Sequence, residues 1–113
     1  DFYTPVIIAN NTFLAEEPET ARAFLDAVSR GYEFAIEHPR EAGEILCKAA
    51  PELDPDLVKA SQEYLADKYQ ADAPQWGYID QKRWDAYYAW LNEKGLTETP
   101  IEAGTGCSNE YLP

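Results

Sequence analysis

The sequence predicts a mainly α chain of four helices with one or two strands, and three observations point there. Apolar residues recur at helical spacing over most of residues 17–95. Asp and Pro stand at the positions that start helices. One short apolar run, Val6-Ile7-Ile8, has the β-branched character of a strand covered on both faces.

That strand, residues 5–9, comes first in the chain. Its backbone donors and acceptors need partners, and the rest of the chain offers at most one weak second strand at Pro100 to Ala103. The expectation is therefore a chain that belongs to something larger, or one that completes its sheet with a second copy.

The first helix opens at Glu17-Pro18, where proline suits the first helical position. Ala21, Phe24, Leu25, Val28, Tyr32, Ala35 and Ile36 form its core-facing stripe. Pro39 disfavours helical geometry at His38, so the helix stops there and a second one begins at once. Ala42, Ile45, Leu46 and Ala49 line its face, and Pro51 ends it.

Asp54 before Pro55 starts the third helix, since the carboxylate can accept from first-turn amides while proline has no amide to satisfy. Leu57, Val58, Ser61, Tyr64, Leu65 and Lys68 share one face. Residues 71–79 carry Pro74, Trp76 and Gly77, break the period and read as a loop. Asp80 caps the fourth helix, whose Trp84, Tyr87, Tyr88 and Leu91 follow the i, i+3, i+4, i+7 pattern up to the Gly95 stop. Residues 97–113 read as an extended tail.

Composition bounds the function. With 113 residues, 45% hydrophobic and 13% aromatic, the chain has material for one packed unit. Nine basic against 21 acidic residues give a formal charge of −12, which repels phosphate backbones and argues against nucleic acid as a partner. No run approaches the ~20 apolar residues that span a bilayer, and no basic-then-apolar signal segment opens the sequence. Cys47 and Cys107 match neither a zinc nor a thioredoxin spacing and read as two unrelated thiols, with a disulfide left open should the tail fold back.

Six motifs, in this order, carry a resemblance along the whole chain: Tyr3-Thr4-Pro5-Val6-Ile7-Ile8-Ala9-Asn10; Gly31-Tyr32-Glu33-Phe34-Ala35-Ile36-Glu37-His38-Pro39 with Glu41-Ala42; Pro51-Glu52-Leu53-Asp54 through Ser61-Gln62-Glu63-Tyr64-Leu65; Gln75-Trp76-Gly77; Trp84 to Leu91; and Ser108-Asn109-Glu110-Tyr111-Leu112-Pro113. The chain resembles the C-terminal part of the NMT1/THI5-like substrate-binding proteins of ABC importers, most closely those that bind thiamine pyrimidine precursors such as formylaminopyrimidine. The resemblance implies a two-lobed α/β binding protein of the periplasmic type II class, with the ligand in the cleft and this chain starting at the second crossing between lobes. It also implies an extracytoplasmic location, a membrane permease as partner, and most ligand contacts lying upstream. Residues 5–9 would then belong to the first lobe's sheet.

Within that frame Phe2 and Tyr3 would stand at the hinge, where their rings could stack on a flat pyrimidine, with core packing as the plainer reading. Trp76 offers a second stacking face and one donor, against packing of its loop on the helices. Asn109 and Glu110 could supply an amide and a carboxylate to an aminopyrimidine, or simply lie in a surface tail. His38, the only histidine, reads as a helix-junction cap. Asp54 and Asp56 flank a proline and suit capping, not a calcium loop. Asn10-Asn11-Thr12 fits the glycosylation pattern, which a bacterial source would make accidental. Gly31, costly inside a helix by about 1 kcal/mol, suggests close packing against a neighbour, the sheet above all.

No catalytic constellation, cofactor or metal site is expected. The alternatives are a pyrimidine synthase fragment of the same superfamily, whose eukaryotic members use iron and a cysteine-rich motif not matched here, and a helical module that forms a homodimer by strand exchange.

Overall fold

A computed structural model describes residues 2–113. Five helices follow one another: α1, Asn11–Glu16; α2, Pro18–Glu37; α3, Pro39–Ala49; α4, Pro55–Leu65; and α5, Gln81–Glu93. Local chemistry explains each start. Proline opens α2, α3 and α4, where its missing amide costs nothing. The Asp54 carboxylate accepts from the Asp56 and Leu57 amides at 2.9 and 3.2 Å, and Asp80 accepts from the Lys82 amide at 2.9 Å. His38 caps the end of α2 and the start of α3 through its backbone: its amide donates to Phe34 O and its carbonyl accepts from Ala42 N–H.

α2, α3 and α4 stack, with the α3–α4 contact the most extensive. Gly43 allows it. A Cβ there would lie 3.4 Å from Val58 Cγ1 and 3.6 Å from Gln62 Cγ, so the two helices meet over a glycine. Val58, 8% exposed, is the buried hydrophobic at that crossing. Arg40 Nε also donates to Glu63 Oε1 at 2.7 Å, joining the first turn of α3 to the last of α4. None of the first four helices makes more than a marginal contact with α5, which is instead held by residues 2–3 and by the tail.

The predicted strands are corrected. Among the described residues there is no strand at 5–9 or at 100–103, and the chain carries no sheet. Val6, Ile7 and Ile8 are 43%, 53% and 88% exposed, and among the described residues no backbone hydrogen bond joins residues 5–9 to another segment. A strand is a paired state: an apolar β-branched run favours it, and only a ladder partner creates it. The pairing of copies through that strand loses the element on which it rested. At 100–103 a side chain takes the place of a ladder, since the Asn92 amide group accepts from Ile101 N–H and donates to Ile101 O, both at 2.9 Å. The mainly α reading holds.

Two further expectations are revised. The helix α1 lies where the sequence reading assigns no element, between the expected strand at 5–9 and the helix from Pro18, and Asn10 caps it, accepting from Thr12 and Phe13 amides. Gly31 has nothing within 4 Å of where its Cβ would be, so no described element packs closely there.

The fold exposes much of its surface. Its accessible area is 8478 Å², against about 6,300 Å² for a compact monomer of this mass. Its radius of gyration is 17.0 Å, against about 13 Å. Among the described residues no large side chain is fully buried.

Candidate functional site

The expected site residues fall into two groups. The first gathers at the start of α5. Phe2, 51% exposed, stacks on Tyr87 with ring centres 4.9 Å apart, and Tyr87 lies nearly parallel to Trp90 at 6.0 Å. These three rings form a ladder along one side of α5. Tyr3 lies beside Trp84 at 6.5 Å, carries the Arg83 guanidinium 4.5 Å above its ring, and accepts a hydrogen bond at its hydroxyl from the Asp80 amide at 3.0 Å.

Asn109 joins this group from the tail. Its Oδ1 accepts from Ile79 N–H and its Nδ2 donates to Ile79 O, each at 2.9 Å, so one side chain satisfies both polar groups of one backbone residue. The tail packs on α5 by two further means. Asp85 Oδ1 accepts from Gly104 N–H at 2.8 Å and from Gln81 Nε2 at 2.9 Å. Gly106, at φ +81°, lies so close to Tyr88 that a Cβ would sit 2.0 Å from the hydroxyl. The Trp84 Nε1 donor is buried there without a protein partner.

The second group centres on Trp76. Its indole stacks on Tyr32 of α2 at 4.3 Å and 18°, with Tyr69 edge-on to Tyr32 at 5.1 Å. Beside it, Val28, Gly31, Tyr32, Ala35 and Tyr69 line an open groove of about 380 Å³. That is within the range of small-molecule sites, and the wall toward solvent is missing. Glu110 stands elsewhere, against α2: Arg22 donates to its carbonyl and lies 3.7 Å from its carboxylate, and Arg22 also covers the Tyr111 ring at 5.3 Å.

Thus Phe2, Tyr3 and Asn109 are brought together, while Trp76 and Glu110 each contact α2 at separate points. Sequence reading missed Tyr87 as the partner of Phe2, Trp90 as the ring beyond Tyr87, Arg83 as the cation over Tyr3, and Tyr32 as the face under Trp76. Trp90 gave a signal, being a large aromatic just off the apolar stripe of its helix. The others gave none, because their partners are distant in the chain.

The titratable chemistry here is quiet. Both cysteines are free thiols. Burial pushes the Cys107 thiol up, the Asp85 charge adds to the shift, and a hydrogen bond to Gln81 opposes it, so this is a thiol held protonated and slow to react. Among the described residues no group of three metal-ligating side chains comes together.

The NMT1/THI5-like family model matches residues 1–42. Over 98% of the chain, the 4-amino-5-hydroxymethyl-2-methylpyrimidine phosphate synthase of Candida albicans is 38% identical. The chain belongs to the NMT1/THI5-like family. The formylaminopyrimidine-binding protein of Halalkalibacterium halodurans is 28% identical over 102 residues, 87% of this chain. The riboflavin-binding protein RibY of Chloroflexus aurantiacus is 24% identical over 95% of it. The chain spans about a third of the length of these relatives: 31%, 31% and 32%. This NMT1/THI5-like chain therefore has both binding proteins and a synthase among its relatives. No described helix is long and apolar enough to cross a membrane.

Proposed function

We propose that this NMT1/THI5-like chain is the C-terminal segment of an extracytoplasmic solute-binding protein that delivers a thiamine-pyrimidine-type, formylaminopyrimidine-like molecule to the permease of an ABC importer. The observation that carries the reading is the aromatic arrangement at the start of α5, where Phe2 and Tyr3 are held with one ring half exposed. Such rings suit a flat heteroaromatic ligand, and the likeness to a protein named for binding one supports that class. Phe2 and Tyr3 stack on the ring. Trp76 and Glu110 contact α2 away from these rings, and the Asn109 amide is taken up by Ile79. The open geometry and excess surface fit a chain that supplies one wall of a cleft and closes on ligand together with the rest of a longer protein.

A second reading, a segment of a pyrimidine synthase, is favoured by the 38% identity to the fungal enzyme. Calorimetric titration of the longest polypeptide that contains this chain separates the two. Saturable binding of formylaminopyrimidine, with riboflavin inert, supports the transport reading. Formation of a pyrimidine phosphate without added pyrimidine overturns it in favour of the synthase, and preference for riboflavin overturns the ligand class.

A further inference from the structure

Tyr3 and Asn109 are 106 positions apart in sequence, yet they bond to the two sides of one peptide linkage. The Asp80 amide donates to the Tyr3 hydroxyl at 3.0 Å. On the preceding residue, Asn109 closes a two-bond ring with Ile79 N–H and Ile79 O. The Ile79–Asp80 linkage is where the loop bearing Trp76 enters α5, whose cap is the Asp80 carboxylate. Because Ile79 O and Asp80 N–H belong to the same planar amide group, any rotation that breaks the Asn109 bond to Ile79 O also turns the Asp80 N–H away from Tyr3.

The contrast between the two side chains matters for the ligand. Both hydrogen-bonding ends of the Asn109 amide group are committed to Ile79, whereas Tyr3 spends only its hydroxyl on Asp80, with Arg83 over its ring and Trp84 beside it. We propose that Asn109 is a positioning residue for Tyr3, acting through the Ile79–Asp80 peptide, so that the tail sets where the first aromatic pair is held. The inference rests on the reading of Phe2 and Tyr3 as ligand-stacking rings. It changes the part played by Asn109 from touching ligand to aiming a residue that does.

Amide hydrogen exchange on the isotopically labelled 113-residue chain tests it without any ligand. Asn109→Ala is expected to speed exchange at Ile79 about tenfold and to speed Asp80 as well, with the Tyr3 ring resonances moving. Asn109→Asp keeps an acceptor for Ile79 N–H and should return protection to Ile79. Because the coupling runs in both directions, Tyr3→Phe is expected in turn to accelerate exchange at Ile79. Acceleration confined to Ile79, with Asp80 and the Tyr3 ring unmoved, overturns the proposal. If Asn109→Ala loses its helical circular dichroism, Tyr3→Phe decides alone: an accelerated Ile79 supports the coupling and an unchanged one overturns it. Titration of the wild type with formylaminopyrimidine bears separately on the binding reading, since failure to bind leaves the exchange result standing.

Discussion

The stack of α2, α3 and α4 and the assembly around α5 are built by different means. In the stack, helices meet helices, with Gly43 giving close approach and Val58 filling the crossing. Around α5, no helix supplies the support. Residues 2–3 contribute two aromatic rings, and the tail contributes Asn109, Gly104 and Gly106, joined to α5 and its first turn by hydrogen bonds and one close approach. The first region is joined by a close helix crossing, while Phe24, Ile45, Leu46, Leu57 and Tyr64 of the expected apolar faces stay exposed. The second is assembled from individual polar contacts between segments far apart in sequence, and the expected ring-binding residues Phe2 and Tyr3 lie within it.

The sharpest way to break this comparison is at the crossing of α3 and α4. Val58→Asp places a charge where the residue is 8% exposed and packed against Gly43 of α3, an effect on the order of 4 kcal/mol. If the two regions are built separately, helical circular dichroism falls while the Phe2–Tyr87 and Tyr3–Trp84 contacts persist in the near-ultraviolet spectrum. Loss of both signals together would mean that the α5 assembly depends on the stack.

A smaller effect is expected at Gly106. Its φ of +81° and the 2.0 Å approach of a Cβ to the Tyr88 hydroxyl combine backbone strain with a steric clash. Gly106→Ala should cost on the order of 3 kcal/mol, read as a lower unfolding midpoint. Tyr88→Phe in the same chain removes the clashing oxygen while leaving the strain, so the double variant should recover part of that loss. Equal cost in both backgrounds would assign the whole effect to the backbone.

The same division explains what the sequence could show. Caps and prolines are local, so Asp54-Pro55, Pro18, Pro39 and Asp80 were readable as helix starts and all four serve as such. The strand expected at 5–9 does not form: Val6, Ile7 and Ile8 have the character of a strand, and only a ladder partner, which no described residue provides, would make them one. Asn10 reads in the sequence only as part of a glycosylation pattern, and its role as the cap of α1 shows in its bonds to Thr12 and Phe13. In the site, Phe2 and Tyr3 stood out as rings beside an apolar run. Their setting on Tyr87, Trp84 and Arg83 comes from contacts over some eighty residues, which no periodicity encodes.

The smallest predicted effect concerns Cys107, which reports on the tail without disturbing it. Its thiol is raised first by burial and second by the Asp85 charge, with Gln81 pulling the other way. Because the folded chain holds the proton more tightly than the unfolded chain, this contribution to stability is complete below the unfolded thiol's pKa. It is lost as pH rises through the folded one. Asp85→Asn removes the charge while keeping an oxygen for the Gly104 amide, so alkylation of Cys107 in mildly alkaline buffer should quicken by a few-fold and alkylation of Cys47 should not change. Faster reaction at both thiols would indicate general loosening. An unchanged Cys107 would show that burial alone sets its reactivity, and that the tail lies against α5 for reasons of packing and not of charge.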